Sequence, residues 1–86
     1  MIADHNKETL RSLRIKFRYT QKEAAEIIGV SKTTLKNWEV NSSRIPYDKV
    51  KRIEEVYGVN QNNIFFGSEV AFSELIRRRR DSIRSA

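Results

Sequence analysis

The chain has 86 residues and carries a formal net charge of +6, from 17 Lys and Arg against 11 Asp and Glu. Its size suits one compact domain with a modest core. The absence of cysteine excludes disulfides, thiolate zinc sites and a cysteine nucleophile. The start, MIADHNKE, is polar and lacks the apolar segment of a secretory signal. No apolar run is long enough for a membrane span, and the chain reads as cytoplasmic. Asn41-Ser42-Ser43 matches a glycosylation sequon by letters alone, which has no meaning in that compartment.

The elements follow in chain order, all with helical periodicity. Leu10, Leu13 and Phe17 recur at three and four residues and predict a first helix near 7–17, with Asn6 as its N-cap. Thr20 followed by Glu23 forms a capping box that starts a second helix at Gln21. Ala24, Ala25 and Ile28 face inward, and Gly29 ends that helix. Ser31 caps a third helix near 32–38 whose inner stripe is Leu35 and Trp38. VNSSRIP is a loop by composition. Pro46 suits the start of a fourth helix marked by Val50, Ile53, Val56 and Tyr57 and closed by Gly58. Asn60 caps a short fifth turn through Ile64, Phe65 and Phe66, which Gly67 and Ser68 break. A last helix runs from Glu69 to about Ser82. Phe72, Leu75, Ile76 and Ile83 share one side of it, and Arg77, Arg78, Arg80 and Arg84 lie away from that side. No segment alternates with strand period, so the fold class is all-α. Residues 1–67 form a five-helix domain, and 68–86 form a C-terminal helix with a basic tail.

Two short helices joined by a tight turn at Gly29 make a helix-turn-helix unit. A helix turns roughly 100° per residue, so inward Leu35 and Trp38 leave Lys32, Thr33, Lys36 and Asn37 outward. These four offer donors, one amide and no negative charge. Lys can donate to guanine, Asn can pair bidentately with adenine, and a Thr methyl can touch the thymine methyl. The bland alternative for the same face is ordinary solvation. The stretch TQKEAAEIIGVSKTTLKNWE resembles the helix-turn-helix of the phage repressor and Cro family, also called the XRE family. The residues that carry the resemblance are Gln21, Ala24, Ala25, Ile28, Gly29, Val30, Ser31, Leu35, Trp38 and Glu39. The likeness extends from about Lys7 to Gly67. It implies a compact repressor-like fold, double-stranded DNA as partner, and homodimers that place two such helices about 34–36 Å apart.

The resemblance also implies that Gln21 contacts phosphate at a helix N-terminus, with Thr20 near it. It implies a structural ion pair between Arg14 and Glu39. Asn41, Ser42, Ser43 and Arg44, in the loop after the third helix, are candidates for phosphate or minor-groove contacts, or an ordinary polar loop. The chain departs from the family pattern at Arg18, where many members have glycine. It departs again at Val40-Asn41, where many have Asn-Gly, so the exit from the third helix is expected to differ.

Arg77–Arg80 could follow phosphate or be a solvated charge run. The apolar side of the last helix could pair two copies or pack on Ile64, Phe65 and Phe66 of its own chain. Enzyme chemistry fails on inventory. His5 is the single histidine, the three glycines are far apart, and no nucleophile–base set or metal cluster appears, so no cofactor is expected. The reading is a sequence-specific, dimeric DNA-binding transcription regulator. Its rivals are an antitoxin-type module that binds a protein partner as well as DNA, and a non-specific basic nucleic-acid binder.

Overall fold

The computed structural model describes residues 6–85 of the chain; His5 therefore lies outside the described residues. Its elements are α1 (Leu10–Lys16), α2 (Gln21–Ile28), α3 (Lys32–Val40), α4 (Tyr47–Tyr57), a 3-10 turn (Gln61–Asn63) and α5 (Glu69–Ser85). The all-α class holds, and among the described residues extended backbone pairs only at two single bridges, Glu8 with Ile64 and Asn41 with Ser68.

The start of α1 differs from the periodicity reading. The cap is Thr9, not Asn6, and Thr9 and Ser12 form a reciprocal capping box. The cause is long-range. Glu8 donates its N–H to the Asn63 carbonyl at 2.9 Å and accepts from the Phe65 N–H at 2.8 Å. That pairing holds Glu8 extended, so no helix can run through it. At the other end α1 stops at Lys16. Phe17 is 42% exposed and leaves the core stripe for an aromatic group, meeting the Tyr57 ring edge-on at 5.3 Å and the Tyr19 ring at 6.3 Å. Arg18 then takes a left-handed conformation, φ 61°, the conformation for which glycine is the usual choice.

α2 and α3 follow their local signals. Thr20 Oγ1 accepts from the Glu23 N–H at 3.1 Å, and Glu23 accepts from the Thr20 N–H at 2.9 Å. Those bonds lower the Glu23 pKa, the backbone bond from Thr20 being the largest cause. Gly29 ends α2 at φ 90°. α4 secures that end: Arg52 Nε donates to the Ile27 carbonyl at 3.0 Å and Lys49 Nζ to the Gly29 carbonyl at 3.4 Å. Cations placed there complement the free carbonyls and the negative end of the helix dipole.

The core gathers Leu10, Leu13, Ala24, Ala25, Ile28, Leu35, Ile53, Tyr57 and Ile64. Ala24 and Ala25 are buried to 0% and 2% exposure, and their small side chains let α3 cross α2 closely. Leu13, Ile28, Leu35, Ile53 and Ile64 are the largest fully buried side chains; each contributes about 1.5–3 kcal/mol by leaving water. Trp38 packs partly buried against this cluster. The 3-10 turn is fastened to α4 by Glu54, which accepts from the Gln61 N–H at 2.7 Å. That bond, followed by the Lys51 contact, lowers the Glu54 pKa.

The loop after α3 departs from its compositional reading. α3 continues through Val40, and Asn41 leaves in extended conformation, φ −150° and ψ 111°. Ser42, a candidate DNA contact by sequence, is 5% exposed. Its N–H donates to the Gly67 carbonyl at 2.9 Å, and its hydroxyl accepts from the Gly67 N–H at 3.0 Å. It is therefore a fastener between the end of α3 and the segment leading into α5, and cannot reach a duplex.

Candidate nucleic-acid interface

α3 packs on α2 and α1. Its inner side is set by Leu35 at 1% exposure and Glu39 at 7%. Lys32, Thr33, Lys36 and Asn37 are all exposed on the other side. Among the described residues neither Lys32 nor Lys36 forms an ion pair, so both charges are available to a partner. The helix starts at Ser31, whose hydroxyl accepts from the Thr34 N–H at 3.0 Å. This cap keeps the first turn of α3 formed, with Lys32 and Thr33 at its tip.

The angle of α3 to the body is held by an ion pair. Arg14 Nε donates to Glu39 Oε2 at 2.6 Å and the Arg14 terminal nitrogen to Glu39 Oε1 at 3.2 Å. The third Arg14 nitrogen reaches the Tyr19 carbonyl at 3.0 Å. The side chains are 15% and 5% exposed, so this planar two-point contact is largely removed from water. Gln21 joins it, donating from Nε2 to Glu39 Oε1 at 3.2 Å. Sequence reasoning assigned Gln21 to phosphate alone. The structure gives its amide nitrogen an internal partner, which fixes the side chain at the start of α2 beside α3.

Gln21 and Lys36 open onto one surface. With Arg11, Val40, Asn41, Ser68 and Val70, and with the acids Glu39 and Glu69, they line an open depression of about 390 Å³. Arg11, one residue after Leu10, lies off the apolar stripe of α1 and is exposed; a single basic residue on an outward helix face carries no local signal of a site. Thr20, Ser43 and Arg44 are exposed. The Thr20 hydroxyl is engaged in the capping box, and the Ser43 N–H donates to Asn41 Oδ1 at 3.0 Å in a local turn. Lys22 is exposed as well.

Along α5, Arg77 contacts Glu74 at 2.7 Å and Arg80 lies 3.7 Å from Asp81. These are exposed pairs of small energetic weight. Among the described residues no helix is long and apolar enough to cross a membrane.

Comparison with known proteins converges on the same segment. The family model described as helix-turn-helix matches residues 10–60, the stretch from the start of α1 to the cap of the 3-10 turn. A protein of Pyrococcus furiosus, provisionally named an HTH-type transcriptional regulatory protein, is 36% identical over 50 residues. That match covers 58% of this chain and 16% of the Pyrococcus protein, so the likeness is to one part of a much longer molecule.

Proposed function

The chain belongs to the helix-turn-helix family, and we propose that it is a sequence-specific double-stranded DNA-binding regulator of transcription that acts as a homodimer on an operator. The observation that carries this reading is the outward face of α3, where Lys32, Thr33, Lys36 and Asn37 are exposed while Leu35 and Glu39 anchor the opposite side. A major groove admits one helix, and these side chains match the donor and acceptor patterns of base edges. In this reading α3 enters the groove and those four residues read bases. Thr20, Gln21, Ser43 and Arg44 set the register on the backbone, with Arg11 added from the shared surface. Gln21 works with one amide hydrogen tied to Glu39, which leaves the second N–H of Nε2 and the free backbone N–H groups of the first turn of α2 to donate to a phosphate.

The charge balance supports a polyanionic partner, and the name of the Pyrococcus relative agrees with a regulatory role. Specificity is tested by selecting duplexes from a random pool. The expected outcome is enrichment of one short motif repeated as two symmetric half-sites. Binding that is equal on all duplexes and equally steep in salt would overturn the reading in favour of non-specific electrostatic association.

A further inference from the structure

We propose that α5 is the dimerisation element, and that two copies of it pair antiparallel with Ile76 near the two-fold axis. The proposal deepens the homodimeric reading above by naming the surface on which the partner, a second copy of this chain, is held.

Three observations carry it. The first is that α5 is a 17-residue helix that makes only slight contact with the other helices. Its principal anchor is near its start, where the Phe72 and Phe65 rings lie 5.2 Å apart. Beyond that the helix projects, and the molecule extends 45 Å along one axis against 24 Å along the others. An isolated helix of this length is marginal in water and needs packing to persist.

The second is an uncovered apolar stripe. At about 100° per residue, Phe72, Leu75, Ile76 and Ile83 fall on one side of α5. The body covers the beginning of this stripe and not its continuation, since Ile76 is 43% and Ile83 60% exposed. Intrachain packing, one of the two uses that the sequence leaves open, thus accounts for Phe72 and for part of Leu75, both half-buried, and leaves Ile76 and Ile83 open.

The third is the charge arrangement, which selects both the occupant and its direction. The first half of α5 carries Glu69 and Glu74 with no base, and the second half carries five arginines against one aspartate. A parallel pair would set the two arginine-rich halves side by side. An antiparallel pair sets each acidic half against the other's basic half, and opposes the helix dipoles as well. Glu69 and Arg80 lie on the same flank of the apolar stripe by helical angle, so each is aimed at the other's counterpart in the second copy. The polarity also has a consequence for the DNA faces. α5 begins beside the end of α3, where Asn41 bridges Ser68. In the antiparallel pair the two α3 helices are therefore held apart by roughly the 25 Å length of α5, before their own widths are added. That is of the order of one duplex turn.

The test is made on the full chain without DNA, so that its result is independent of base recognition. Sedimentation equilibrium is expected to show a monomer–dimer equilibrium. Ile76→Asp and, separately, Ile83→Asp should weaken it by about 30-fold or more. Both positions are exposed in the monomer, so the melting of the α1–α4 core should change little, while helical circular dichroism falls by no more than the share of α5 that loses its packing. Direction is read from disulfide formation in this cysteine-free chain. Protein with Ser73→Cys mixed with protein with Arg80→Cys should form the mixed disulfide in preference to either self-disulfide. A chain that stays monomeric up to roughly 1 mM, a dimer indifferent to both aspartates, or preferential self-disulfides would each overturn the proposal. Loss of operator specificity with the dimer intact would instead count against the DNA-binding reading.

Discussion

Arg14 holds both carboxylate oxygens of Glu39, at 2.6 and 3.2 Å, and so ties the middle of α1 to the far end of α3. The pair lies where a small change of angle would swing the whole outward face of α3. Removing one partner leaves the other as a nearly buried, uncompensated charge. Glu39→Ala is therefore expected to destabilise the fold by about 3–5 kcal/mol, visible as a lower denaturation midpoint. Replacing both Arg14 and Glu39 with apolar residues should cost less than the sum of the single changes. A double-mutant cycle in urea measures that coupling, and strict additivity would count against a directly interacting pair.

What was legible in the sequence divides along the range of the interactions. Caps and stops are local, so Thr20 with Glu23, Ser31, Gly29, Pro46 and Gly58 marked α2, α3 and α4 correctly. The Arg14–Glu39 pair was reached through the family resemblance and is present in the structure. The start of α1 was misplaced because Glu8 pairs with a segment more than fifty residues away, and nothing in the local pattern announces that bond. Ser42 has the composition of a surface loop residue, yet it is bonded to Phe65 and Gly67. The outward face of α3 was legible because burial of Leu35 dictates it. The exposure of Ile76 was not, because a helical stripe looks the same whether its cover is its own chain or another.

Arg18 offers a second stability test. Its φ of 61° costs a non-glycine residue about 1–2 kcal/mol, while glycine adds about 0.5–1 kcal/mol of unfolded-chain entropy. Arg18→Gly is thus expected to stabilise the protein by about 0.5–1 kcal/mol, a rise of a few degrees in melting temperature. Arg18→Ala keeps the strain and should give no such rise. If Arg18 also donates to a phosphate, the glycine variant will lose DNA affinity equally on all sequences, and its salt slope will fall by about one.

Asn37 tests base reading. It is exposed on α3, so Asn37→Ala should leave the fold intact. It should weaken binding to the selected site by about 1–3 kcal/mol and relax preference at one base position. The comparison is made by titrating the variant against the selected duplex and against one scrambled in sequence. A loss of equal size on both would assign Asn37 to the backbone.

Tyr57 ties the aromatic group to pH. It is 3% exposed, and burial, with a further contribution from the Glu39 carboxylate, pushes its phenol from 10.0 up to about 12; Arg14 opposes that shift. The folded state therefore holds the phenolic proton more tightly than the unfolded chain does. The associated stability is complete below pH 10 and is lost as pH rises towards 12, because the unfolded chain ionises first. A difference of this size corresponds to about 2–3 kcal/mol. Tyr57→Phe removes that linkage while keeping the ring that meets Phe17. Urea denaturation at a series of alkaline pH values should show a steeper loss for the natural chain than for Tyr57→Phe. Parallel curves would mean that Tyr57 ionises as readily in the folded protein as in the unfolded one.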